Sequence, residues 1–598
     1  MKYNILKAHE YVTVLSEVIN IIPEHERPEV QRFQEPEPPD WKDYESSLKQ
    51  SIEIAKQRYL NADFGGAIQI SELALTFADT PAKQAKVYEL KIKSLVTLNR
   101  LNDAIGCSLK ILKELNLDLK ESKPKEFSLD ELISLPILES PEKITVQHIL
   151  KLLGEATYMI DPDLCIRVIW TEFEFSRKYG NSLFSAIAYN DYAFLLCSIY
   201  EEIEQGYELG KFAIDLFEKF NSDSLKTGVY TLFNGHVRHW KEPARNSLFP
   251  LEEAFRNGIK IGDFFSSVIA SIVRCDSLIF CSQNLEFIEQ EYNRYFDAIE
   301  LMGVSHFSTF LQIGYHLTLS LLNKPSSLKF STLQNNQTAL FAANLVCAML
   351  AYCFHHLSDA ISHAQEAENF RDSVPGQIIV VQHNFYYSLA LLAHYPKMLP
   401  AEQLQMRRQV EANQQQMAKW AYHAPMNFKH KHDLVEAERA RLAGDCRRAG
   451  ALYRDAIRGA RDNSYLQEEA LANELAGRFY LAQLNRGMAE DLLRQAYYLY
   501  LEWRAMAKVE QLEAQYPFLR TAQREQLEND INTGFKDYFN RLQKASVLMM
   551  LRYCTLQYND ATRTLTIVTP TEDLAYAIRR NVGAIRNPMR WRIVVVCS

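Results

Sequence analysis

Histidine and aspartate can bind metal or move protons, and tryptophan and arginine can anchor a partner. The run from Trp420 to Asp433 holds all but the last of these types: Trp420, Tyr422, His423, Asn427, His430, His432 and Asp433. The spacing argues against a metal centre. His430 and His432 are two apart and diverge on a helix, and Pro425 breaks the chain between them and His423. A helix–helix junction packed with polar and aromatic groups is the reading this favours, with Trp420, His423, Asn427 and His430 as candidate partner contacts. A second dense run spans Phe233 to Pro243 and contains Arg238, His239 and Trp240. These are the residue types of binding hot spots, and equally those that fill a corner between packed helices. The corner is favoured; a peptide-facing role for Arg238, His239 and Trp240 is the alternative. A third group is Arg579, Arg580, Arg586, Arg590 and Arg592 near the C-terminus, which could meet phosphates or an acidic partner.

Sequence patterns of catalysis are missing. The nearest approach to a phosphate-binding loop, Gly206 to Phe212, has the wrong spacing, carries Phe212 where a hydroxyl is needed and lies inside a helical pattern. No H-R-D, D-F-G, G-x-S-x-G or H-E-x-x-H occurs. The expectation is a chain with no catalytic residues, no cofactor and no metal site. Ten Cys are scattered singly, without C-x-x-C, as in a cytoplasmic protein with reduced thiols. The N-terminus does not read as a signal peptide, and no run of about 18 apolar residues spans a membrane. A net charge of −8 gives no general reason for nucleic-acid binding.

The elements that must position these residues are helices. The 598 residues exceed a single compact core and suit several domains or a repeat array. Residues 1–40 read as one helix and a Pro-rich acidic linker. From 41 to 519, apolar residues recur at three- and four-residue steps, broken by short turns. Small residues sit just after matching turns: Ala67 and Ala104, then Ala449 and Ala489. The spacing approximates the tetratricopeptide period, so 41–519 is predicted to be an α-solenoid of helix pairs with a groove that binds protein. Residues 118–145 and 323–338 interrupt it. Residues 520–598 read as a small α/β unit, helix–strand–strand–helix–strand, with a hairpin at Asn559-Asp560. The fold class is mainly α with a small C-terminal α/β unit.

Val410 to Asp445, with its H-A-P-M-N run, and the V-R-H-W-K-E-P run at 237–243 resemble the helical-repeat region of large bacterial, cyanobacterial-type signalling proteins. Those proteins join a serine/threonine kinase-like domain, an AAA-type ATPase, this repeat region, a GAF domain and a histidine kinase. The resemblance covers about 41–519. No kinase, ATPase, GAF or histidine-kinase motif accompanies it here, so no catalytic residue carries over. The tail is similar to small KH-like β–α–β modules. The resemblance implies a non-catalytic regulatory scaffold in bacterial signal transduction, binding a protein partner that includes separately encoded kinase, ATPase or histidine kinase subunits. A nucleic-acid-associated regulator using the Arg-rich tail is the alternative.

Overall fold

The computed structural model describes residues 44–520, apart from 159, 282–283 and 334–335, and three strands near the C-terminus. The N-terminal arm predicted over 1–40 lies outside the described residues. The chain divides into two units, Met1–Gln511 and Leu512–Ser598.

Unit 1 is helix after helix. It runs α1 (Tyr44–Leu60), α2 (Phe64–Leu75), α3 (Pro81–Thr97), α4 (Leu101–Glu114), the short α5 (Leu129–Ile133), α6 (Pro141–Tyr158), α7 (Pro162–Tyr179), α8 (Leu183–Ser198), α9 (Ile203–Lys219) and α10 (Lys226–Leu232). It continues with α11 (Leu248–Ile261), α12 (Phe264–Phe280), α13 (Leu285–Leu301), α14 (Ser308–Leu321), α15 (Gln337–Cys353), α16 (Leu357–Glu368), α17 (Ile378–His394) and α18 (Pro400–His423). The series ends with α19 (Pro425–Leu442), α20 (Cys446–Asp462), α21 (Leu466–Ala482) and α22 (Arg486–Trp503), and the division at Gln511 falls within α23 (Met506–Gln515). Neighbours pack as antiparallel pairs, the solenoid that the periodicity predicts. Among the described residues no helix is long and apolar enough to cross a membrane.

One turn recurs through the array. Ala62, Asn99, Gly262, His355, Gly444 and Leu484 all take positive φ, and each is followed by a residue that opens the next helix. That following amide donates to the carbonyl five residues back at 2.8–3.0 Å, at Asp63, Arg100, Asp263, His356, Asp445 and Asn485. This is a left-handed helix stop that satisfies otherwise orphaned carbonyls. Four of the six, Asp63, Asp263, Asp445 and Asn485, also cap the new helix with a side-chain oxygen. Four residues further on stand Ala67, Ala104, Ser267, Ala360, Ala449 and Ala489, all 0% exposed. They lie where the second helix presses on the first, so only a small side chain lets the pair close.

The interruptions have structure of their own. Residues 115–140 lie across α7: the Lys120 amide donates to Thr171 Oγ1 at 2.9 Å, and Asn181 Nδ2 donates to the Leu132 carbonyl at 2.8 Å. The loop after α14 contains a 3-10 turn, Phe330–Thr332.

Contacts far apart in sequence show how the array coils. Gln377 Nε2 donates to Tyr158 Oη at 3.1 Å, Lys419 pairs with Glu201 at 2.6 Å, and Gln467 Nε2 donates to the Phe280 carbonyl at 3.0 Å. Asn323 Nδ2 donates to Glu510 Oε1 at 2.9 Å. The partners are 187 to 219 residues apart, so helix pairs one superhelical turn apart touch. The consequence is visible in α17 and α21, where Ile378–Leu392 and Gln467–Gly477 are buried without a break. A helix buried all round has no free face. The open groove expected of such an array is therefore closed along these helices by another turn of the same chain.

In unit 2 the sheet order is β1 (Thr555–Asn559), β2 (Thr564–Thr569), β3 (Arg592–Cys597). β1 and β2 are antiparallel, with Leu556 opposite Ile567; β2 and β3 are parallel, with Thr564 beside Arg592. These are the three strands the alternation predicts. The two helices predicted around them lie outside the described residues.

Candidate functional site

The two runs singled out by residue type meet. Around Phe233–Val237 the helix that begins with α10 widens to a π-turn, then tightens to a 3-10 turn at Arg238–Trp240. That irregularity turns the chain so that its backbone faces the start of α19. Asn427 spans the gap. Its Nδ2 donates to the carbonyls of His239 at 2.8 Å and Glu242 at 2.7 Å. Its Oδ1 accepts from the Ala244 amide at 3.0 Å and the Tyr465 hydroxyl at 2.8 Å. All four hydrogen-bonding positions of the amide are used. Trp240 packs beside Trp420 and Phe428, with ring centroids 5.7 and 5.8 Å apart, and its Nε1 donates to the His236 carbonyl at 2.9 Å. Burial holds His236 and His239 neutral, pushing them down to about 4 and about 3.

His430 sits in an adjoining buried cluster on α19 and α21. Its Nε2 pairs with Glu468, and Lys431 Nζ donates to the same carboxylate at 2.6 Å. Burial lowers both His430 and Lys431. Burial alone would raise Glu468, but Lys431 and His430 outweigh it and hold the carboxyl below its usual range.

Trp240, His239, Trp420, Asn427 and His430 are thus 1% to 6% exposed. Side chains so enclosed present no surface to a partner: Trp240, Trp420 and Asn427 join segments about 180 residues apart, with the His239 carbonyl accepting from Asn427, and His430 is held by Glu468 of a neighbouring helix. Arg238 is half-buried and bonded to Glu242 and Asn234, each at 2.9 Å. His423 stands apart, 4.0 Å from Glu204. Its neighbour Tyr422 is well exposed. Among the described residues no three His, Cys, Asp or Glu converge so as to hold a metal. Arg579, Arg580, Arg586 and Arg590 lie outside the described residues, and Arg592 opens β3.

Other interior charges gather outside the two runs, where no motif or clustering in the sequence marks them. Glu252, Arg274, Glu291, Arg294 and Tyr295 form one network, in which Tyr295 Oη donates to Glu252 at 2.6 Å and Arg294 pairs with Glu252 at 2.7 Å. Lys508 donates to the Cys353 carbonyl at 3.0 Å and lies 3.1 Å from Glu474, which also accepts from Tyr500 at 2.8 Å. A third group draws Lys93, Lys151, Glu155, Glu172, Asp191 and Asp263 together. Here Lys151 pairs with Glu155 at 2.6 Å. Burial pushes Asp191 up to about 7 and Glu172 well above the carboxylate range. Burial also pushes on Asp263, but the charges of Lys151 and Lys93 outweigh it and leave Asp263 below its usual value.

A different kind of surface lies on α17–α19. A cleft of about 750 Å³ has a floor of Leu391, Leu392, Val410 and Leu442 and a rim of Arg407, Arg408 and Arg439. The first half of α18 is largely exposed, with Leu404 54% exposed. Sequence reading missed this site, whose one mark in the sequence is the adjacent pair Arg407 and Arg408 within a polar helix.

No protein-family model matches the chain. No curated protein matches it either, so the resemblance to the signalling repeat region rests on the sequence runs alone. Among solved structures, the crystal structure of yeast Tom70 is similar at 12% identity, with a TM-score of 0.27, covering 81% of this chain and 100% of that one. A superposition at that score does not define a shared fold. The helix-pair architecture stands on the geometry described above.

Proposed function

We propose that this chain is a non-catalytic, protein-binding scaffold of a bacterial signal-transduction system. It works in the cytoplasm and holds separately encoded kinase, ATPase or histidine kinase subunits. The observation that carries this reading is the division of labour within unit 1. Many interior ionisable groups are spent on one another inside the packing, as at His430–Lys431–Glu468 and Glu474–Lys508. The cleft that opens to solvent is lined by arginines and aliphatic side chains. That lining suits association better than bond-making, which calls for a nucleophile beside a base. The H-A-P-M-N and H-W-K-E-P runs support the signalling context.

Cross-linking the tagged chain in its own cells should recover a kinase, ATPase or histidine kinase subunit. The purified chain should neither hydrolyse ATP nor transfer phosphate. Measurable turnover in that assay would sink the scaffold reading.

A further inference from the structure

The cleft on α17–α19 has a definite charge character. Glu411 is paired with Arg439 at 2.5 Å. Glu436 accepts from Arg439 at 2.6 Å, from Gln414 at 3.0 Å and from Arg448 at 3.1 Å. The acids at the rim are therefore already neutralised. Arg407 is steadied by the Tyr395 hydroxyl, at 2.6 Å from its Nε, with its guanidinium 5.1 Å from that ring. Arg408, exposed one helical position on, meets no acid among the described residues. Two guanidinium groups are left without counter-charge above an aliphatic floor. A guanidinium fork recognises a carboxylate through paired hydrogen bonds. The volume falls within the roughly 300–1,000 Å³ of ligand clefts.

We infer that this cleft docks an acidic segment of a partner protein. Two of its carboxylates meet Arg407 and Arg408, and an apolar side chain enters over Leu391 and Val410. Nucleic acid is a poorer fit, because the floor is aliphatic where single strands call for stacking aromatics. The inference rests on the scaffold reading and adds where the chain binds and what chemistry it selects.

The test uses the full chain and two fluorescein-labelled helical peptides with the same leucines, one filled with glutamate and the other with lysine. The glutamate peptide should bind, more weakly as salt rises through the range where exposed charges are screened, and the lysine peptide should not. Arg408→Glu should weaken binding by about tenfold or more, since it puts a like charge opposite the ligand. Ala412→Trp, which fills the cleft from an exposed position, should abolish it. Arg486→Glu, exposed on α22, should leave it unchanged. Unchanged far-UV circular dichroism and melting would show that each variant folds. Equal binding of the two peptides, or no effect of Arg408→Glu, would overturn the inference. So would a dimer that dissociates in Arg408→Glu, because the occupant would then be a second copy of this chain. Recovery of the same cross-linked partner by wild type and Arg408→Glu would remove the cleft and leave the scaffold standing. ATP turnover would remove the scaffold and leave the cleft.

Discussion

Two regions that share α18 and α19 use residue types common at binding hot spots in opposite ways. At the Asn427–Trp240 joint, Trp, His, Asn and Tyr are enclosed and every hydrogen-bonding position of Asn427 is taken. At the Arg407–Arg408 cleft, both arginines face solvent and neither has an acid partner among the described residues. The side chains that look most like a binding hot spot hold the array together, while the available surface lies on an ordinary-looking polar helix. Residue type marks where strong interactions are made. It does not say whether the other half of the interaction belongs to the same chain.

The sharpest way to break this contrast is Asn427→Ala. It orphans the Ala244 amide, the Tyr465 hydroxyl and two carbonyls in the interior. A loss on the order of 3–5 kcal/mol, or failure to fold, is expected in urea unfolding. A loss under about 0.5 kcal/mol, the scale of an ordinary surface change, would show that the joint is not what couples the turns.

Glu468→Gln leaves Lys431 buried beside a neutral amide. Breaking a buried pair from one side typically costs about 3–5 kcal/mol, and the amide should recover part of that. Thermal melting checks it. The joint predicts that Lys431→Met partly rescues the variant.

Gly206→Ala tests the helix-pair closure itself. A Cβ there would lie 2.8 Å from the Ala193 carbonyl oxygen and 2.5 Å from Cys197 Sγ. Overpacking of this kind costs about 1–3 kcal/mol. The exposed Gly65, which meets nothing within 4 Å, should accept alanine without loss.

Asp191 supplies a pH test. Its folded carboxyl is raised to about 7 by burial, against roughly 3.9 in an unfolded chain. Between those values the folded state binds more protons than the unfolded one, so this group's contribution to stability falls as pH rises. Melting temperature should therefore drop from pH 5 to pH 8, and the drop should be shallower in Asp191→Asn. A wild-type slope of the opposite sign would refute the assignment.

The smallest effect is expected from Arg408→Glu on stability, within about 0.5 kcal/mol, because the side chain is exposed and unpaired. The same change should have a large effect on peptide binding. That pairing of outcomes separates the cleft from the joint.

Much of the local architecture was legible. The turns at Asn61–Asp63, Gly444-Asp445 and Asn485 carry cap residues, and Ala67, Ala104, Ala449 and Ala489 mark the close approach after them. The equivalent turn at His355-His356 was not, because a histidine in the left-handed region has no compositional signature and His356 makes no side-chain cap. The three C-terminal strands were legible from alternation. The joint was half legible: both runs stood out, and the bond between them did not, since Asn427 and Ala244 are 183 residues apart.

By itself the sequence determined what depends on neighbours a few residues away: helices from three-and-four periodicity, their stops and caps, the small residue that lets each pair close, and the strand alternation near the C-terminus. Only the tertiary structure decided which faces stay open. Coiling brings helix pairs about two hundred residues apart into contact, and that contact encloses Trp240, Trp420 and Asn427 while leaving Arg407 and Arg408 in solvent. Burial is set by whatever arrives from the distant part of the chain, and local periodicity carries no information about that arrival.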